Sequence, residues 1–149
     1  VGNANILHLG TETLAIRTER ANDNARKVAA YLRDHRKIRA VHYLGFLEAG
    51  DPRKPVFDRQ CVQPGSTFSF EVQGGEAEAF AMLDRLEIMK LAVSLGGTET
   101  LISHPASTTH SGVPRALREE IGLTDALIRI SVGIENADDL IADLENALG

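Results

Sequence analysis

The segment Thr67-Phe68-Ser69-Phe70-Glu71-Val72 alternates polar and apolar residues at every step. Successive side chains of a strand point to opposite faces, so this pattern predicts a strand with one apolar and one polar face. The apolar face must be covered by helices. Three segments offer the required stripes. From about Asn3 to Asp34 the sequence reads as helical, with Ala21, Ala25, Val28, Ala29 and Leu32 on one side and Gly10 marking a bend or break. Glu76 to Leu86 reads as a helix with Phe80, Leu83 and Leu86 at three-residue steps. A last helix starts at Asn136, a good N-cap, and has Asp138 and Asp139 in its first turn, where the helix dipole favours anions. Ala137, Leu140, Ile141, Leu144 and Leu148 form its apolar stripe. A sheet with one polar face and helices on the other predicts a two-layer α/β domain.

The remaining elements fit that plan. Ile38 to Tyr43 reads as a strand with Ile38, Ala40 and His42 on one face and Arg39, Val41 and Tyr43 on the other. Phe46 to Pro55 carries loop residues, and a short helix follows around Val56 to Cys61. Ile88 to Val93 reads as a strand feeding the turn Ser94-Leu95-Gly96-Gly97. Pro114 to Glu120 suggests a short helix, with Pro in its first turn and Gly122 just past its end. The chain has 149 residues, which suits one domain, and 43% of them are hydrophobic, enough for a core.

One strand breaks the pattern of its neighbours. Leu127-Ile128-Arg129-Ile130-Ser131-Val132 is apolar except for a guanidinium at its centre. Alternation places Arg129 with Leu127 and Ser131, opposite Ile128, Ile130 and Val132. A charge in such a place needs an anionic partner, because burying it unpaired costs far more than the strand returns. Two readings are open: a structural ion pair with an Asp or Glu of this chain, or a clamp for a ligand carboxylate, which Arg grips through two parallel hydrogen bonds.

Several function classes are disfavoured. The net charge is -5 with no run of Lys or Arg, which argues against nucleic acid as a partner. No apolar run approaches a membrane span, and no signal-peptide pattern opens the chain. The single cysteine, Cys61, excludes an internal disulfide and fits a reducing cytoplasm. His104 and His110, six apart, lack the spacing and the further ligands of a zinc site. Ser94, His104 and Asp125 supply the residue types of a hydrolytic triad, but no Gly-x-Ser-x-Gly elbow accompanies them. Glu99 is a candidate cap for a local backbone group.

Larger blocks carry a resemblance. Leu91-Ala92-Val93-Ser94-Leu95-Gly96-Gly97-Thr98-Glu99-Thr100-Leu101 is followed by His104-Pro105-Ala106-Ser107-Thr108-Thr109-His110 and then by the arginine strand through Gly133-Ile134-Glu135. Upstream lie Gly10-Thr11-Glu12-Thr13-Leu14-Ala15-Ile16-Arg17 and Ser69-Phe70-Glu71-Val72 before Gly74-Gly75. In order and spacing these blocks resemble the C-terminal part of the Cys/Met-metabolism family of pyridoxal-phosphate enzymes. That family includes methionine gamma-lyase, cystathionine gamma-synthase, cystathionine gamma-lyase and O-acylhomoserine sulfhydrylase. The resemblance implies the small C-terminal domain of an aspartate-aminotransferase-like (fold type I) enzyme, a mostly antiparallel sheet with helices on one side. It implies that Arg129 binds the alpha-carboxylate of an amino-acid substrate, with Ser94, Leu95 and Thr109 in the same pocket. It also implies that the full enzyme is a homo-oligomer.

The resemblance also says what to expect outside this chain. The family carries its cofactor on a lysine in a Ser-x-Thr-Lys-type segment of a larger, preceding domain. Lys27, Lys37, Lys54 and Lys90 are the only lysines here, and none lies in such a segment. Gly74-Gly75 and Gly96-Gly97 lack the spacing of a phosphate cradle. The chain opens at Val1, without Met, on what reads as the inside of a helix. Residues 1–149 are therefore expected to form a single C-terminal domain, without the large domain that binds pyridoxal phosphate and with no catalytic residue of its own. Alone it is expected neither to hold the cofactor covalently nor to turn over substrate. Val93 stands where cystathionine-cleaving members tend to carry a glutamate, which tilts the substrate toward a shorter or apolar sulfur side chain. The alternative from another class is a non-catalytic α/β ligand-binding or interface module that uses Arg129 for a carboxylate.

Overall fold

The computed structural model describes residues 2–149. Five strands form one sheet: β1 (Ile38–His42), β2 (Thr67–Val72), β3 (Lys90–Leu91), β4 (Leu101–Ser103) and β5 (Leu127–Ser131). Their order is β1-β2-β5-β4-β3. All neighbouring pairs are antiparallel except β3 and β4. The helices are α1 (Gly2–Glu12), α2 (Leu14–Asp34), α3 (Lys54–Gln60), α4 (Glu76–Leu83), α5 (Arg115–Glu120) and α6 (Ala137–Leu148), with a 3-10 turn at Leu44–Phe46.

The alternation of β2 sets the two faces. Phe68 pairs with Ile130, which pairs in turn with Ile102; Phe70 pairs with Ile128. All five are buried, and α2, α4 and α6 complete the core over them with Val28, Leu32, Met82, Leu140 and Leu144. The opposite face carries the row Ser69, Arg129, Ser103 and the row Thr67, Ser131, Leu101. The mostly antiparallel α/β plan is as expected.

Four elements differ from their sequence reading. The helix expected from Asn3, with a bend or break at Gly10, is instead divided at Thr13. There Arg17 donates from Nη2 to the Gly10 carbonyl at 2.8 Å and from Nε to Thr13 Oγ1 at 3.1 Å. The guanidinium competes for the acceptor that a continuous helix offers to Leu14. Strand β1 contains a bulge between Ile38 and Ala40. The extra residue puts Ile38 opposite Val72 and Val41 opposite Phe70, both core positions, and turns Ala40 and His42 to the polar face. Strand β3 spans only Lys90–Leu91, where Ile88 to Val93 was expected, although the Ala92 amide still donates to the Ile102 carbonyl at 3.0 Å. In α4 the buried side is Ala79, Met82 and Leu83 rather than Phe80, Leu83 and Leu86. Phe80 instead meets the His104 ring edge-on, with centroids 4.9 Å apart.

The last helix begins as predicted, with Asn136 Oδ1 accepting from the Asp138 amide at 2.9 Å. Its buried side also holds Asp143. That carboxylate accepts from the amides of Glu87, Ile88 and Met89 at 2.8, 3.1 and 3.0 Å, and so fixes the segment leading into β3. Helix α1 buries none of its residues: Ile6, Leu7 and Leu9 are 69%, 72% and 53% exposed.

Candidate carboxylate-binding site

Arg129 lies in the middle of β5 on the polar face of the sheet, between Ser69 of β2 and Ser103 of β4. Its neighbours Ile128 and Ile130 are fully buried on the other face. Each such side chain contributes about 1.5–3 kcal/mol on burial, which anchors the strand whatever the guanidinium does. Among the described residues Arg129 has no carboxylate within 4.0 Å. Its Nη2 instead donates to the Val93 carbonyl at 2.6 Å and to the Ser94 carbonyl at 3.0 Å. Its Nε is buried and has no partner. An orphaned buried donor costs about 1–3 kcal/mol. The structural ion pair, one of the two readings of this residue, is not formed with any described residue.

The stretch after β3 brings Ser94 to Arg129 through its backbone. Leu95 follows and is 58% exposed. Together with Leu91 (65%) and Val93 (53%) it makes an exposed apolar row at the sheet edge. The row leads up to the arginine. Thr109 lies in the loop after β4; its hydroxyl pairs with Nδ1 of its neighbour His110 at 2.8 Å and makes no hydrogen bond to Arg129.

Backbone ties hold this region together. The Ser131 hydroxyl accepts from the Gly96 amide at 2.9 Å. The Glu135 carboxylate accepts from the amide and, at 2.9 Å, from the hydroxyl of Thr100. That hydroxyl accepts from the Gly133 amide at 2.9 Å. Asn24 of α2 donates to the carbonyls of Gly133 and Glu135 at 3.0 and 2.8 Å. The backbone role anticipated for Glu99 is filled by Glu135. Thr100, Ser131, Glu135 and Asn24 were not singled out from sequence, since each works through a contact with a distant segment.

The charged groups of β1 and β2 pair with one another. Glu71 is buried and accepts from Arg39, from His42 Nε2 (2.9 Å) and from Thr124 Oγ1 (3.0 Å). Burial, and then Arg53 and Arg39, hold the His42 ring below its ordinary pKa. His104 is buried, with its nitrogens on Ser107 Oγ (2.9 Å) and the Asp125 carbonyl (2.8 Å). It does not meet Ser94, so the triad inventory does not assemble. Asp125 is committed to Arg118 at 2.7 Å and lies below the usual carboxylate range for that reason first.

Lysine is the residue type that anchors a pyridoxal-phosphate cofactor as a Schiff base. Lys37 donates to the Leu148 carbonyl, Lys54 pairs with Asp58 and Lys90 donates to the Glu87 carbonyl at 2.9 Å. Lys27 is exposed on α2, on the side of the sheet away from Arg129. Three of the four lysines are thus engaged within the chain, and Lys27 faces away from Arg129.

The sequence model described as Cys/Met metabolism PLP-dependent enzyme matches residues 1–149. The chain belongs to that family. An L-methionine gamma-lyase of Fusobacterium nucleatum subsp. polymorphum is 48% identical over 139 residues, covering 93% of this chain and 35% of that protein. A cystathionine gamma-lyase of Bacillus subtilis is 41% identical over 143 residues, covering 96% of this chain and 37% of that protein. A Campylobacter jejuni crystal structure of an O-acetylhomoserine (thiol)-lyase, with N'-pyridoxyl-lysine-5'-monophosphate, matches with a TM-score of 0.85 and 39% identity. It is covered over 33% of its length, and this chain over 94%. Members of this pyridoxal-phosphate-dependent family thus include gamma-lyases and thiol-lyases with the same fold, and the chain spans about a third of their length. No helix among the described residues is long and apolar enough to cross a membrane.

Proposed function

We propose that this chain is the C-terminal, substrate-carboxylate-binding domain of a pyridoxal-phosphate enzyme of sulfur amino-acid metabolism. The observation that carries the reading is Arg129. It is a guanidinium fixed in a strand, without a carboxylate partner among the described residues and with a buried Nε that has no acceptor. The alpha-carboxylate of an amino acid supplies the missing anion. Arg129 stays protonated at any working pH, so it orients the substrate and moves no proton. Ser94 and Leu95 line the approach, and Thr109 contributes from the loop after β4.

The cofactor and its lysine belong to a larger domain that this chain joins in the full enzyme, which works as a homo-oligomer. The reaction is elimination or replacement at the gamma-carbon of methionine, homocysteine or an O-acylhomoserine. The exposed apolar row of Leu91, Val93 and Leu95 favours an uncharged sulfur side chain over one ending in an ammonium. Exposed Cys61 suits a reducing cytoplasm. The isolated chain is inactive.

The test compares methionine with its carboxamide in the full-length enzyme. The amide keeps the side chain and the amine but removes the anion. Wild type should prefer the acid by about a hundredfold or more in kcat/KM, and Arg129→Ala should abolish most of that preference. Equal preference in the two proteins would remove the clamp.

A further inference from the structure

The two carbonyls that meet on Arg129 Nη2 come from residues 93–97, a stretch exposed along its length and without regular secondary structure. Backbone of that kind opens locally at little cost. Both carbonyls nevertheless converge on one nitrogen, so something must hold them.

Two ties do so, both C-terminal to the carbonyls. Ser131 lies two residues beyond Arg129 on the same face of β5, is buried, and accepts the Gly96 amide. Gly96 has φ +74°, a left-handed conformation that glycine takes without strain. Beyond it, fully buried Thr100 is gripped by the Glu135 carboxylate and by the Gly133 amide. The Ile134 amide donates to the Thr98 carbonyl at 2.9 Å, and a Cβ on Gly133 would clash with that same carbonyl oxygen. Asn24 ties the assembly back to α2. The stretch 93–97 is thereby pinned between the end of β5 and the edge strand.

We infer that Ser131, Thr100 and Glu135 are positioning residues: they hold residues 93–97 so that the Val93 and Ser94 carbonyls fix the Arg129 guanidinium for the substrate carboxylate. The inference rests on the clamp reading proposed above. A guanidinium already held on one nitrogen loses less freedom when the carboxylate arrives. Releasing one tie restores that freedom and weakens ground-state binding, with little effect on the chemical step.

The experiment measures KM, kcat and thermal midpoint for full-length wild type and four variants: Ser131→Ala, Thr100→Val, Thr100→Ser and Arg129→Ala. Ser131→Ala frees the Gly96 amide, which water can satisfy, and the Thr67 hydroxyl 3.3 Å away, which can turn to another acceptor. Its KM should rise about tenfold, the ordering cost of one long side chain, with kcat within about twofold. Thr100→Val should do the same, and Thr100→Ser, which keeps the hydroxyl, should restore the wild-type KM. A purely structural role would lower the midpoint and the active fraction and leave KM where it was. If Arg129→Ala raises KM while Ser131→Ala and Thr100→Val do not, the positioning role is overturned and the clamp stands. If Arg129→Ala leaves KM unchanged, both are overturned. Should Thr100→Val fail to fold, Ser131→Ala decides alone.

Discussion

Arg129 and Glu71 sit on the same polar sheet face and have opposite fates. Glu71 collects Arg39, His42 and Thr124, so its charge is accounted for within the chain. Arg129 collects two carbonyls and keeps an orphaned Nε. The difference separates a charge paired within the chain from one without an anion among the described residues, and only the structure displays it. In the sequence both are charged residues in alternating strands. Asp143 is a third case, a buried carboxylate satisfied by three amides. Asp143→Ala leaves those amides without an acceptor and should destabilise the chain by about 3 kcal/mol or more in urea unfolding. A change below about 1 kcal/mol would mean that the segment before β3 repacks freely.

At the level of elements, the strands with strict alternation were legible and those with irregularities were not. The faces of β2 and β5 follow from period-2 patterning, and the buried stripes of α2 and α6 from period 3.6. The bulge in β1 was not legible, because one inserted residue reverses every facing position after it without leaving a mark in composition. Phe80 misled for a similar reason: its partner His104 lies in a distant loop. Of the site, Arg129 announced itself as a charge in an apolar strand. Ser131, Thr100 and Glu135 did not, because small polar residues acquire meaning only from what they touch. Helix α5 offers a pH test. Arg118 and Arg115 hold Asp125 below its ordinary pKa. A depressed carboxyl stabilises the fold above its unfolded pKa, and that contribution is lost as pH falls through the folded value. Asp125→Asn should therefore lower the thermal midpoint at neutral pH, and the gap to wild type should close in acid as pH falls through the depressed Asp125 pKa. A gap that persists in acid would assign the effect to packing.

For the whole molecule, the apolar residues divide into a closed core and an open surface. Phe70, Ile128, Ile130, Leu140 and Leu144 have no exposure, whereas Ile6, Leu7 and Leu9 of α1 are mostly exposed. Replacing those three with Ser should change the unfolding free energy of the isolated chain by less than about 0.5 kcal/mol per site. A larger loss would place α1 in the core. The cofactor question belongs at this scale too. Lys37, Lys54 and Lys90 are engaged with Leu148, Asp58 and Glu87. Pyridoxal phosphate added to the isolated chain should give no absorbance band that depends on a single lysine.

The role proposed for Arg129 is to hold a substrate carboxylate. Steady-state kinetics and the cofactor absorbance spectrum of full-length Arg129→Ala test it together. The account predicts a fall in kcat/KM of about a hundredfold or more beside an unchanged cofactor band, since the residue orients substrate and holds no cofactor. Kinetics indistinguishable from wild type would contradict it.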